Sequence, residues 1–145
     1  MNRRLGSSTH AFLRMAAGVL FAEHGAQKLF GAFGGVDGGT VPLASLMGVA
    51  GVLELVGGTL LIAGLMTRPV AALLIAEMTA AYVMVHLPQG GWPIQNQGEL
   101  ALLYASVFVF LVGNGAGPLS LDALLLVRRK GERRHVDDRR TPVAA

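Results

Sequence analysis

Seven ionisable side chains stand in or beside stretches that are otherwise apolar: Glu23, His24 and Lys28, then Glu54, then Glu77, with His86 and Glu99 at the edges of such stretches. Carboxylates, imidazoles and an ammonium can relay protons, hold a polar ligand or pair with one another. A charge near the bilayer centre costs about 2.5–3.5 kcal/mol on insertion scales, so each of these residues asks for a partner or a function. His24 precedes Lys28 by four residues, and Glu23 precedes Gln27 by four. On a helix each pair touches, and the four together occupy about 140° of one face. Cysteine is absent, which excludes disulfides, thiol redox chemistry, Cys-ligated zinc and iron–sulfur clusters for this chain alone. There is no nucleotide-binding loop, no evident metal set and no self-contained catalytic motif, so the catalytic residues stay unknown. His24 and His86 form a candidate pair of haem ligands, but two histidines without a further haem signature are set aside.

The elements that must position these groups are apolar helices. The chain has 145 residues, enough for one domain, with 52% hydrophobic and 14% charged. A typical soluble domain is nearer to about 25% charged. A helix that crosses a bilayer needs about 20 mostly apolar residues. Four stretches answer, and they predict helices over 11–30, 43–66, 69–87 and 100–117, with a short interfacial helix over 120–130. Residues 1–10 are then a cytoplasmic N-terminus, 11–127 the transmembrane domain and 131–145 a basic, disordered cytoplasmic tail. The fold class is all-α, a polytopic membrane four-helix bundle. Pro42 and Pro69 open helices, while Pro88 and Pro118 follow them. A cleaved signal peptide is the rival reading of the first stretch. It is set aside because no A-x-A site follows and Arg14 abuts the apolar run.

Basic residues give the orientation. Arg3, Arg4, Arg68 and the tail after Val127 flank one side of the helices, whereas 31–41 and 88–98 contain no Lys or Arg. The positive-inside rule places both termini and the Arg68 turn in the cytoplasm. Glu23, His24 and Lys28 then fall in the outer half of the first helix, with Glu54 and Glu77 midway along the second and third. Glycines seven apart, Gly51 with Gly58 and Gly57 with Gly64, suit close helix packing. Arg14 is expected to pair with Asp122 as a structural clamp. Glu77 and His86 are nine apart and so on opposite sides of a straight helix. Either the helix frays before Pro88 and His86 turns inward, which is the reading preferred, or His86 meets lipid headgroups. Each group also has a bland reading: Lys28 snorkels to the surface, and Glu54 and Glu77 are protonated or hydrogen-bonded as glue between helices.

The sequence FAEHGAQKLFGAFGG, followed by GVLELVGGTLLIAGLMTRPVAALLIAEM, then VH, QGELALLYA and GAGPLSLD, strongly resembles the DoxX family of small bacterial membrane proteins over Phe12–Asp122. The family is similar to the membrane subunit of thiosulfate:quinone oxidoreductases. Some members are implicated in oxidative-stress complexes with superoxide dismutase and sulfurtransferase partners. The resemblance thus implies a multi-pass protein of the bacterial inner membrane, a quinone as ligand, and membrane or peripheral redox partners. No nucleic-acid partner is expected, and the oligomeric state is open. Phe21, Phe30, Tyr82, Trp92 and Tyr104 would wall a quinone site; His24, Lys28 or His86 would donate to it, and Glu23, Glu54, Glu77 and Glu99 would relay protons. The alternative is a non-catalytic membrane scaffold or small-molecule carrier, whose polar cluster binds another ligand or holds the helices together.

Overall fold

The structure is a computed structural model that describes residues 3–128. The tail 131–145, and the last two residues of the expected helix 120–130, lie outside the described residues. Those described are helices and turns, apart from one isolated bridge between Val36 and Gly39. Helix α1 spans Arg3–Phe30, α2 Leu46–Ala63, α3 Thr67–Ala81, the one-turn α4 Pro93–Asn96 and α5 Glu99–Asn114; residues 121–128 are again helical.

The ends depart from the sequence expectation for local reasons. Helix α1 begins eight residues earlier than position 11, because Ser8 and Thr9 turn their hydroxyls back onto the carbonyls of Arg4 and Leu5 and keep the polar RRLGSSTH segment helical. Apolarity marks only the part of the helix that meets other apolar groups. Helix α2 starts not after Pro42 but at the cap of Ser45, whose Oγ accepts from the Gly48 N–H at 3.0 Å. It ends where Gly64 turns left-handed at φ 66°. There Gly64 N–H donates to Leu61 O at 3.1 Å and Leu65 N–H to Leu60 O at 3.0 Å, the double bond of a Schellman stop. Gly64 is therefore a cap, not part of a packing stripe with Gly57. Pro69 lies in the first turn of α3, where a missing N–H is harmless.

Packing follows the glycines. Helix α1 lies closest against α2, and α3 against α5. A Cβ on Gly58 would come 2.5 Å from Gly18 O, and one on Gly18 would come 2.7 Å from Gly58 O, so the two backbones touch. Gly25 meets α2 in the same way one stretch further along, beside Leu55. Gly18 and Gly25, seven apart, are the partner stripe to Gly51 and Gly58. On the other side Phe21 joins Leu61, Leu74, Met78, Tyr104 and Phe108 in the apolar core. Its ring sits 5.1 Å from Tyr104 and 5.0 Å from Phe108, both edge-on.

The surface inverts the usual arrangement. Phe12, Val49, Val56, Leu73, Leu103 and Val109 are exposed, while Arg14 and Glu54 are buried at 1% and 3% exposure. Apolar side chains around the outside and charges within suit lipid rather than water. Two helical runs among the described residues are long and apolar enough to cross a membrane, Leu46–Ala63 and Thr67–Gln89. The other two expected spans fall short of that standard: α5 stops after 16 residues at Gly115, and α1, though 28 residues long, carries Arg14, Glu23, His24 and Lys28.

Candidate functional site

The molecule has two ends. One carries the 64–66 turn and the start of α1 (the turn end); the other carries the 31–45 and 87–98 connections (the loop end). The candidate site lies toward the loop end.

Helix α1 presents His24 and Lys28 one turn apart, and Lys28 Nζ bonds Glu54 Oε1 of α2. The contact depends on glycine. A Cβ on Gly51 would sit 3.0 Å from that of Lys28, so the bare backbone there lets the lysine cross to Glu54, one turn along α2. The ammonium side chain keeps 14% exposure and the carboxylate 4%. Glu54 Oε2 is buried with no hydrogen-bond partner among the described residues.

His86 reaches the same place by a change of helix type. Tyr82–His86 form a π-helical turn, followed by a 3-10 turn over Leu87–Gln89. The wider turn shifts the register that would otherwise put His86 opposite Glu77, and π turns of this kind are frequent at functional sites. His86 Nδ1 lies 3.0 Å from Asn96 O. A carbonyl only accepts, so Nδ1 carries the proton, and in the neutral ring Nε2 keeps a bare lone pair. Asn96, 1% exposed, holds the loop that receives it: Nδ2 donates to Gly90 O at 2.7 Å and Oδ1 accepts from Gly98 N–H at 2.8 Å.

Together Phe21, His24, Lys28, Glu54, His86 and Tyr104 wall a cavity of about 270 Å³. The Tyr104 ring stands edge-on to His24 at 6.1 Å. A second cavity of about 310 Å³ lies between α2 and α3, lined by apolar side chains and by Lys28, Glu54 and Glu77. The Lys28–Glu54 pair, with Met78 and Ala81, forms the shared wall. Both carboxyl oxygens of Glu77 are buried without a hydrogen-bond partner among the described residues.

Five of the seven residues picked from the sequence are thus brought together: His24, Lys28, Glu54, Glu77 and His86. Two are not. Glu23 and Glu99 are exposed and line neither cavity. The 100° step from His24 turns Glu23 to the outer side of α1, and Glu99 stands in the first turn of α5, at the loop. Phe30 and Trp92, 68% and 69% exposed, are not walls. Asn96, Gln97 and Gly98 were missed, because a polar loop carries no periodic signal. Among the described residues no group of three or more His, Asp or Glu is placed to hold a metal ion.

At the turn end Arg14 does not pair with Asp122. Its Nη1 donates to Leu61 O at 2.5 Å and Ile62 O at 3.0 Å, and its Nη2 to Leu119 O at 2.7 Å. Asp122 instead accepts from the Met66 and Thr67 N–H groups at 2.9 and 3.0 Å, capping α3 from a distance in sequence.

Residues 10–87 match the model of the DoxX family. A Haemophilus influenzae protein described as uncharacterized is 42% identical over 116 residues, which is 77% of this chain and 87% of that protein. A Bacillus subtilis protein named "Putative oxidoreductase CatD" is 31% identical over 120 residues, 81% of this chain and 87% of its own. An uncharacterized membrane protein of Mycobacterium tuberculosis is 29% identical over 134 residues, 80% of each chain. No solved structure matches the chain. With more than half its length inside the family match and an apolar exterior around buried charges, the chain belongs to the DoxX family and is a membrane protein.

Proposed function

We propose that the protein is a multi-pass component of the bacterial plasma membrane that binds a quinone-like ligand in the His24–His86 cavity and serves a redox partner. In this reading α1, α2, α3 with its π turn, and α5 all cross as a four-helix bundle, with both termini and the Arg68 turn in the cytoplasm. The loop connections, which lack Lys and Arg, face outward. Helix α5 alone spans roughly 24 Å at 1.5 Å per residue. The turn 115–120 after it continues into the membrane's inner boundary, because His10 donates to Gly115 O at 3.0 Å and Arg14 to Leu119 O, so its irregular backbone is satisfied internally.

The observation that carries the ligand reading is one wall with two faces: Phe21 and Tyr104 offer ring surface, while His24, Lys28 and the bare Nε2 of His86 offer polar contacts to the same space. A quinone is a flat apolar ring with two carbonyl oxygens. Its reduced form carries hydroxyls that donate well to an imidazole lone pair. Electrons would come from or go to a protein partner, and the resemblance to a relative named as an oxidoreductase favours that direction. A second reading, scaffold or carrier, is favoured by the same Lys28–Glu54 pair, which neutralises itself and needs no ligand.

Binding of a short-chain ubiquinone or menaquinone analogue to the purified protein decides between them. Saturable binding is expected, weakened about tenfold or more in His24→Ala and His86→Ala, a loss near 1.4 kcal/mol per tenfold. No saturable binding, or binding unchanged in both variants, leaves the scaffold reading. Reporter fusions at Gly39 and Gln95 should register the outer compartment and one at Arg68 the cytoplasm; a cytoplasmic Gln95 fusion would overturn the topology.

A further inference from the structure

The second cavity lies outside the quinone reading, and its chemistry differs. Helices α2 and α3, joined by a three-residue turn, touch more sparsely than α1 with α2 or α3 with α5. The gap between them is the cavity of about 310 Å³. Leu46, Met47, Leu73 and Met84, all exposed, line it, so it reaches the apolar flank and, at the start of α2, the loop end. Inside stand two carboxyls. Glu54, buried at 3% exposure, spends one oxygen on Lys28 and has the other unpartnered. Glu77 has neither oxygen partnered.

The charge count is one ammonium against two carboxyls. The charged groups facing Glu77 are Glu54 from α2 and Lys28 from α1, which cancel as a pair. On α5 the buried face comprises Ala101, Tyr104, Phe108 and Leu111, of which Tyr104 titrates and lines the other cavity. An ionised Glu77 in this setting lacks a counter-charge, and a protonated one is neutral but still has no hydrogen-bond acceptor. We propose that this cavity is a site for a lipophilic cation, an apolar organic ammonium or phosphonium that enters from the lipid between α2 and α3 and sits on Glu77. Binding exchanges charge for charge: the Glu77 carboxyl gives up its proton to solvent, and the cation takes its place beside the carboxylate. Apolar walls accept the organic groups, and the two Glu77 oxygens meet the positive centre.

Tetraphenylphosphonium serves as the probe, with tetraphenylborate as its anionic counterpart of like shape. The purified full chain in detergent is expected to bind the phosphonium saturably and to bind the borate at least about tenfold more weakly. Phosphonium binding should release protons into a weakly buffered medium, and its affinity, measured from about pH 9 to 5, should weaken as the pH falls because protons compete for the same carboxylate. Glu77→Gln should lose about tenfold or more in affinity and all proton release, while His86→Ala, in the other cavity, should bind the cation as the native protein does. Equal binding of both ions, an affinity flat across that pH range, or native-like binding by Glu77→Gln overturns the proposal. If Glu77→Gln fails to fold, the native protein's charge selectivity and pH dependence decide alone. Loss of quinone binding with cation binding kept, or the reverse, tells the failure of one site from that of the other.

Discussion

The turn end and the loop end both bury charge, but they use it differently. At the turn end the charged side chains terminate on backbone, and among the described residues only Arg14 Nε and Thr67 Oγ1 are left buried there without a partner. Arg14 closes the last carbonyls of α2 and the 115–120 turn, Asp122 caps α3, Arg68 donates to Gly113 O at 3.2 Å, and His10 to Gly115 O at 3.0 Å. These contacts satisfy helix ends that cannot bond to water inside a membrane. At the loop end valence is left over: one oxygen of Glu54, both of Glu77 and Nε2 of His86. Saturated polar groups hold a fold together, whereas unsaturated ones cost stability and are retained where something else is to be bound. The two ends should therefore respond oppositely to mutation.

The largest effect is expected for Arg14→Leu. It strands the Ile62 and Leu119 carbonyls and leaves Leu61 O with its Gly64 N–H alone; at about 1–3 kcal/mol for each group left without a donor, it should lower unfolding stability by roughly 4 kcal/mol. Thermal unfolding in detergent measures it; a loss below about 1 kcal/mol would mean that water or lipid headgroups replace the guanidinium and that the clamp is dispensable. Next comes Gly58→Ala, which acts through packing common to both ends. The added methyl meets Gly18 O and the Ala22 N–H region, backbone that cannot swing aside. Overpacking of this sort costs about 1–3 kcal/mol, so a drop near 2 kcal/mol is expected. A neutral result would show that α1 and α2 slide apart freely, and the Lys28–Glu54 contact with them. Asp122→Ala removes the distant cap of α3 and should cost about 1 kcal/mol in the same assay. Asp122→Asn should recover part of that, since an amide oxygen still accepts one of the two N–H bonds.

Much of this contrast is absent from the sequence. Apolar length and proline placement located the helices near 46–63, 67–89 and 99–114, because those signals are local. The family motifs carried His24, Lys28, Glu54 and Glu77, and intramembrane charge is rare enough to be conspicuous. What stayed hidden is what depends on the third dimension. Nothing local says that Arg14 takes carbonyls and leaves Asp122 to the α3 cap. The π turn at Tyr82–His86 shifts the direction in which His86 emerges and brings it to the cavity beside Lys28 and Glu54, which a straight-helix count did not show. Ser8 and Thr9 keep the polar start of α1 helical by bonds that composition does not reveal. Glu23 resembled His24 in type and position, and only the direction of α1 against α2 separates them. The Gly51 and Gly58 spacing was read from the sequence, but it gained meaning only when Gly18 and Gly25 of α1 were found facing it.

The smallest stability effect is expected at Glu77, and it bears hardest on the comparison. If Glu77 were glue, like Arg14, its removal would strand partners and weaken the fold. Among the described residues no side chain or backbone group hydrogen-bonds to it. Replacing it with leucine strands nothing, fills part of an apolar gap and removes a buried carboxyl that must otherwise be kept either charged or unbonded. Glu77→Leu should therefore unfold at the native temperature or slightly above it, with a gain of up to about 1 kcal/mol, as is common when a functional polar residue is sacrificed. Lys28→Met gives the control on the same cavity wall. It leaves Glu54 with both oxygens unpartnered and should destabilise, and Lys28→Met with Glu54→Leu together should restore much of the loss, since no lone charge then remains. A fall of more than about 2 kcal/mol on Glu77→Leu would place Glu77 among the structural groups. The loop end would then be a second clamp, and the difference between the two ends would reduce to one of depth in the membrane.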